Sequence, residues 1–457
     1  MSLSIGLSLE ELPPEERFTK QDDLFREIAY RWLREVPDES LQALVEAASL
    51  VRSFDQELLE WMLGSAIESS LFRKLIDLSF IRPSHGGYYI HALLGKALSR
   101  EIRSRTPKRY SRLWQRSIAY YHREIMNNFS ELDLTETIAS LMYGLGDSIL
   151  LSTFFEEAPY EGYEYETVSE GNLRLVEDYI EDVLKTEANY VRSYYDLQSG
   201  EAHSMEISAE HDRVAFSHLE PAKLITLGTD VIRMIKNQDG LTIGLAVFIP
   251  IHRDSLDYLQ ALPVSRHYFA TLNEQQLKPY HSAPDQPAGW YIYHIDLRKD
   301  SGIPSRTALM HLLLSLLMKQ GIILFSSPLP YHQEITKRMG FHQVEGATHF
   351  DFGPQLPSPT FLLDLRGEKQ RKYFDQLLQQ VGVSSAPSLP EGIFGFTSKE
   401  REVALLVIST KSIAEIFESL RVTQVTVKKH LGRIYKKAEV RGKTQLLKKL
   451  MEAVHGR

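Results

Sequence analysis

The chain of 457 residues contains no cysteine. That absence excludes disulfides, thiolate nucleophiles and cysteine-ligated zinc, and it suits a reducing compartment. Long apolar runs are lacking too. The longest, Leu309 to Met318, is interrupted by His311 and Ser315, and it reaches about half the ~20 residues that a bilayer-spanning helix needs. The N-terminal stretch soon turns acidic, which is not the pattern of a signal peptide, so a cytoplasmic location with no membrane partner is expected. Histidine is plentiful at 16, yet no H-E-x-x-H or similar ligand spacing occurs, and no metal is expected. The phosphate loop G-x-x-x-x-G-K-[ST] is missing as well. Gly442-Lys443-Thr444 supplies only its end, with Lys437 where the first glycine belongs, and Leu94-Gly95-Lys96 fails similarly. Both read as helix connectors, and no cofactor is expected.

What is present is ordinary in amount and uneven in distribution. Hydrophobic content of 43% and charged content of 25% are those of a globular protein, and a chain of this length should hold about three domains. From Phe394 to Arg457 there are 14 Lys plus Arg against 6 Asp plus Glu, a balance of +8 in a chain whose net charge is −8, so the remainder carries −16. Such asymmetry marks a localised electrostatic footprint.

The basic segment has helical punctuation. Thr397 followed by Glu400 is a capping box, in which the hydroxyl accepts a backbone N–H and the carboxylate reaches back; a helix should start near Ser398. Val403, Leu406 and Val407 recur on one side of it, and a second helix from near Ser412 offers Ile413, Ile416 and Leu420 to cover them. Thr423 precedes a third helical pattern in which Val427, Leu431, Ile434 and Tyr435 face inward while Lys428, Lys429, Arg433, Lys436 and Lys437 face outward. A positively charged rod on a small core fits a DNA major groove, with residues near its N-terminus reaching base edges and later ones reaching phosphates.

These residues, Phe396 to about Leu450, resemble the LuxR/GerE family of bacterial DNA-binding domains, whose T-V-K-x-H core stands here as Thr426-Val427-Lys428-Lys429-His430. The resemblance implies a helix-turn-helix with Thr423, Gln424, Thr426, Lys428, Lys429, His430, Arg433, Lys436 and Lys437 as the DNA-binding set. It also implies double-stranded DNA, a second copy paired through the final helix, Thr444 to Val454, and RNA polymerase as partners. The family's usual glycine between the first two helices is Thr410 here, its small alanine after Glu415-Ile416 is Phe417, and a position that often reads bases is Gly432.

The acidic remainder divides by pattern. Helical spacing predicts helices over Leu24 to Glu35, Ser40 to Val51, Gln56 to Leu63, Ala66 to Leu78, Leu93 to Arg103 and Lys108 to Ile125. Phe80 to Ile90, with Gly86-Gly87 at its middle, predicts two short strands forming a wing. On Phe54-Asp55-Gln56-Glu57-Leu58-Leu59, the wing and Ile90-His91, residues 10 to 150 are similar to the winged-helix and helical arm region of STAND-type ATPases, without their ATP-binding core. The basic run Arg100, Arg103, Arg105, Lys108, Arg109, Arg112 and Arg116 reads as a structural or interdomain feature of that region. Residues 157 to 170 read as a linker to a helix from Leu173 to Lys185.

Further on, Val214 to Phe216, Leu241 to Ile249, Trp290 to Leu297, Ile322 to Phe325 and Phe361 to Leu365 read as strands, with helices over Arg306 to Lys319 and Gln333 to Met339. This mixed α/β order resembles the GNAT acyltransferase fold. That family's pyrophosphate turn is represented by Arg298 to Arg306, where Gly302 stands alone, Pro304 removes an amide donor and Asp300 opposes phosphate. Asp296 and Tyr331 are the available general base and proton donor, and they read more simply as a strand-end carboxylate and a loop aromatic. Gly367 to Gln380 reads as a charged helix and Gly382 to Gly392 as a tether.

The fold class expected is therefore multidomain α and α/β, divided as 1–156 (helices with a winged helix), 157–189 (linker and helix), 190–366 (GNAT-like), 367–392 (helix and tether) and 393–457 (all-α helix-turn-helix). The leading functional reading is a non-enzymatic DNA-binding transcription regulator whose other domains sense or assemble. An acyl-CoA-dependent acyltransferase fused to a DNA-binding module is the alternative, and an interaction scaffold is the third.

Overall fold

The computed structural model describes residue 36 and residues 38–454, apart from 85, 129–132, 156–162, 186–188, 196–201, 299–303, 384–392, 409–415 and 417–423. The helix expected over Leu24 to Glu35 lies outside the described residues. The N-terminal layer is α1 (Glu39–Ala48), α2 (Gln56–Leu63), α3 (Ser69–Ile76), the hairpin β1 (Ile81–Ser84) and β2 (Gly87–Ile90), then α4 (Ala92–Arg105), α5 (Pro107–Asn128), α6 (Thr135–Leu145) and α7 (Ser148–Phe154). Asp55 starts α2 by accepting the Leu58 amide at 2.7 Å, one of the donors a helix start leaves unpaired. Phe54, just before it, exchanges both backbone hydrogen bonds with Tyr88, at 2.7 and 2.8 Å. The hairpin is thus tied to the helices. Gly87 is a strand residue here and not half of the turn: a Cβ on it would lie 2.4 Å from the Phe54 carbonyl oxygen, so the close approach requires glycine.

Much of the basic run is spent inside this layer. Arg105 and Arg109 converge on Glu46 at 2.6 and 2.9 Å. Arg116 donates to the Met62 carbonyl at 3.0 Å, and the Arg103 guanidinium lies over the Tyr110 ring.

A seven-stranded sheet in the order β10-β11-β9-β8-β7-β6-β3 forms the centre. Its strands are β3 (Glu164–Thr167), β6 (Ile232–Lys236), β7 (Thr242–Ile251), β8 (Gly289–Leu297), β9 (Ile322–Ser326), β10 (His342–Gln343) and β11 (Thr360–Asp364). Between β3 and β6 come α8 (Arg174–Leu184), the separate hairpin β4 (Tyr190–Tyr195) and β5 (Ala202–Ile207), and α9 (Ala209–Ser217). Between β7 and β8 come α10 (Arg253–Ala261) and α11 (Pro263–Ala270); α12 (Pro304–Leu317), α13 (Pro330–Arg338) and α14 (Glu368–Gln380) follow β8, β9 and β11 in turn. All pairings in the sheet are antiparallel except β8 with β9.

Alternate strand residues enter two cores. On β9, Ile323 joins the core beneath α12 and α14, while Ile322 and Leu324 join the core beneath α8, α10 and α11. Both faces are therefore covered, which is why these strands read as continuous apolar runs. The first of these cores is continuous with the N-terminal helices and runs from Val36 to Val383.

Three expectations need correction. Residues 157 to 170 are not only linker, because β3 lies there and pairs with β6 from Glu164 against Lys236 to Thr167 against Arg233. Its Tyr-Glu alternation is that of a half-buried edge strand; the Tyr165 hydroxyl donates to the Ala308 carbonyl at 2.7 Å. Val214 to Phe216 are helical, not extended. Ser208 caps that helix by accepting the His211 amide at 3.0 Å, and a three-residue apolar run carries too little periodicity to tell the two apart. Finally, α14 is charged on one side only, because Tyr373, Phe374, Leu377 and Leu378 are buried. The chain stays packed through Val383, so any tether begins after it.

A polar bridge links the N-terminal layer to the sheet layer. Glu136 of α6 receives Arg52 at 2.6 Å and His311 of α12 at 2.8 Å. Burial pushes the Glu136 carboxyl up, but these two partners outweigh it and hold it at about 2. Its folded value is thus below the usual 4.5, so this stabilisation is complete above about pH 4.5 and is lost as pH falls toward 2. Glu136→Gln should cost roughly 2 kcal/mol, less than a fully buried pair because Glu136 keeps 41% of its side chain exposed. It should also flatten the loss of stability below pH 4.5; denaturant melts at pH 7 and pH 3.5 measure both effects.

Candidate nucleic-acid interface

The C-terminal segment has its own core. Helices α15 (Ser398–Ile408), α16 (Gln424–Lys437) and α17 (Lys443–Val454) bury Val403, Ala404, Val407, Val427, Leu431, Ile434, Leu446 and Leu450 together with Ile416. The capping box forms as the spacing predicts: the Glu400 amide donates to Thr397 Oγ1 at 3.3 Å, and the Thr397 amide to Glu400 Oε2 at 2.9 Å. Ile413, Leu420, Thr410, Phe417 and Thr423 lie outside the described residues.

Along α16 the buried residues Val427, Leu431, Ile434 and the following Ala438 face the core, with Tyr435 half-buried beside them. The opposite stripe is Val425, Lys428, Lys429, Gly432, Arg433 and Lys436, all exposed. Steps of three and four residues put these on one face of the helix, which is about 21 Å long from its 14 residues. Among the described residues no carboxylate pairs with Lys428, Lys429, Arg433 or Lys436, whereas other cations of this segment are engaged. Lys399 meets Glu402 at 2.7 Å, and Lys449 donates to the Ala438 carbonyl at 2.8 Å. Unneutralised cations on one helical face attract a polyanion.

Lys437 is exposed, as the spacing predicts, but it is also paired. Its ammonium group donates to the Gly395 carbonyl at 2.8 Å and to Glu400 Oε2 at 2.7 Å. Glu400, with 3% of its side chain exposed, thus joins the start of α15 to the last turn of α16, and the hydrogen bonds from Lys437 and the Thr397 backbone hold its carboxyl below the usual range. Thr426 and His430 are half-buried, and among the described residues His430 Nδ1 finds no hydrogen-bond partner, which sets both apart from the outward stripe. Gln424 is the first residue of α16.

Residues 395–450 match the GerE family: bacterial regulatory proteins, luxR family. The matched stretch begins at the carbonyl that receives Lys437 and ends at Leu450 in the core of α17, so the luxR-type domain coincides with this separate hydrophobic cluster. No curated protein matches the chain. The luxR-type domain supports a DNA-binding transcription regulator. No helix among the described residues is long and apolar enough to cross a membrane.

Two members of the outward stripe, Val425 and Gly432, are absent from the sequence-derived set, and only the first has a side chain to offer. Val425 is 75% exposed at the start of α16, where an apolar side chain can meet a thymine methyl group. Its position three residues before Lys428 was a usable signal. The Glu400–Lys437 pair had none, since its partners are 37 residues apart.

Replacing Lys437 by Met should destabilise the C-terminal domain by roughly 1–2 kcal/mol, between exposed and fully buried ion pairs, by leaving Glu400 buried without its cation. Because the folded Glu400 carboxyl titrates below its unfolded value, the parent's advantage should be present at neutral pH and shrink as pH falls below the ordinary glutamate value of 4.5 and through the lower folded one. Urea melts of the 393–457 fragment, followed by helical circular dichroism at both pH values, provide the check.

Proposed function

We propose that the protein is a cytoplasmic bacterial transcription regulator that lays α16 in the major groove of double-stranded DNA. In this reading Val425, Lys428 and Lys429 lie toward the bases and Arg433 and Lys436 toward phosphates. The observation that carries this is the stripe of unpaired cations on α16, set opposite a fully apolar face within a luxR-type domain. A second copy would pair through α17, placing two recognition helices about one DNA turn apart, and RNA polymerase would be the downstream contact. The remaining layers serve as sensor or assembly modules. Two features support that part of the reading: the hairpin β1–β2 beside α2 and α4 fits a winged helix, and the sheet order with one parallel pair in the middle fits a GNAT-like domain.

Substituting Lys428 and Lys429 together by alanine should weaken DNA binding and lower the salt slope by about one for each lost phosphate contact, or cost ~1–3 kcal/mol and relax selectivity for each lost base contact. Titration of a labelled duplex at two salt concentrations distinguishes these. Unchanged affinity in both salts would show that α16 is not the recognition helix.

For the α/β layer the expectation is a binding module and not an acyltransferase. Asp296 accepts the Tyr179 hydroxyl at 2.6 Å and the Tyr331 hydroxyl is hydrogen-bonded to Thr153, so the two residues available for acid–base chemistry each already have a protein partner. With Gly302 alone in the turn and Pro304 after it, calorimetry with millimolar acetyl-CoA should give no saturable heat. A micromolar dissociation constant would restore the acyltransferase reading.

A further inference from the structure

The sheet opens next to its parallel pair. β8 and β9 are paired only from Gly289 against Ile322 to Ile292 against Phe325. At that point β8 carries a bulge, because Val247 and Phe248 of the neighbouring β7 face His294 and Ile292 and leave Tyr293 as the extra residue. A bulge bends its strand. β9 stops at Ser326, with Pro328 and Pro330 close behind, while β8 continues along β7 to Leu297. Among the described residues no strand pairs with the β9-side edge of β8 beyond Ile292, and a cavity lies at the gap.

That cavity, its mouth onto solvent included, encloses about 980 Å³ of space between atoms. Ile292, Ile295, Leu309, Leu313, Ile323 and Phe325 are among the residues that line it. Met205 and Ile207 of β5 and Thr153 and Phe154 of α7 close the side toward the N-terminal layer. Protein interiors are otherwise packed like organic crystals, and an open cavity lined mostly by apolar side chains suits an apolar guest. Among the described lining residues the full charges are Asp296 and Arg306, one of each sign. A phosphate-bearing ligand would instead call for several cations or a row of bare amides. Uncharged polar groups also line it: Thr153 and Tyr331 share a hydrogen bond, and Thr336 Oγ1 donates to the His332 carbonyl at 2.6 Å.

We propose that this cavity is a binding site for an elongated apolar molecule carrying one uncharged polar end, with the chemistry of a medium-chain alcohol. Its tail lies along Ile295, Leu309 and Leu313, and its head meets the Thr153–Tyr331 hydroxyl pair. Because the wall is drawn from α7, the β4–β5 hairpin and the α/β layer, occupancy ties these three elements together.

The test uses the full chain with Nile red as a neutral apolar reporter and 1-decanol, decyl phosphate and coenzyme A as competitors. Saturable binding of one Nile red per chain is expected, displaced by 1-decanol, at least tenfold less well by decyl phosphate, and not by coenzyme A. Filling the cavity by Leu313→Phe, or from the strand side by Ile295→Phe, should weaken Nile red binding at least tenfold. 1-Decanol should also raise the melting temperature of the parent, and this rise should disappear in whichever variant keeps the parent's melting temperature. Absence of saturable binding to the parent overturns the proposal, as does unchanged binding in both filled variants. Decyl phosphate or coenzyme A competing better than 1-decanol overturns the ligand class. DNA affinity is measured separately and does not enter these outcomes, so the site stands or falls apart from the role of α16.

Discussion

Both faces of the seven-stranded sheet are buried, and the layers of residues 36–383 are arranged around that requirement. One face is covered by α8, α10 and α11, the other by α12 and α14, and the second pair in turn presents an outer surface on which the N-terminal helices lie. Apolar burial at ~25 cal/mol per Å² supplies most of the cohesion, but it is nondirectional. Placement of the layers comes from the polar links across them. Glu136 lies between Arg52 and His311, His122 of α5 meets Asp375 of α14 at 2.9 Å, and Thr307 donates to the Phe154 carbonyl at 2.9 Å. Each group is costly to leave unpaired, so each penalises sliding of one layer over the other.

The same logic governs the sheet's polar interior. Ser326 Oγ, at the end of β9, contacts His349 Nε2 at 3.1 Å, and His349 Nδ1 meets Asp351 at 3.0 Å. A hydroxyl, an imidazole and a carboxylate thus stand in series. Ser326 is buried and its hydroxyl also contacts the Val264 carbonyl and Tyr291, while burial pushes the His349 imidazole down to about 4. The series therefore holds a neutral ring and fastens the loop after β10 to the sheet. Divergence of β8 from β9 a few residues away leaves the opposite result, a space that no described side chain fills.

In the luxR-type domain, electrostatics is sorted by depth. Glu400 neutralises Lys437 at the end of α16, and the same carboxylate completes the capping box of α15. The outward lysines and arginine are left for an external anion. A single substitution at Glu400 would therefore disturb a helix start, a helix end and the relation between them.

Local signals carried a good part of this. The capping box at Thr397 and Glu400, the helix over Gln56–Leu63, the strand pair in Phe80 to Ile90, the long strands of the sheet and the two stripes of α16 follow from residue type and spacing within about fifteen positions. The luxR-type resemblance was legible for the same reason, since a recognition helix is a short contiguous motif. What the tertiary structure alone decided involves partners distant in sequence. The edge strand β3 is a strand because β6, about 65 residues later, offers it a free edge. Phe216 is in a helix because its neighbours pack that way, and Lys437 is an ion-pair partner because Glu400 lies beneath it. The cavity beside β8 arises where two strands part, and no local pattern encodes a gap. Periodicity reports the face on which a residue lies, whereas its neighbour across that face is set only when the whole chain has closed.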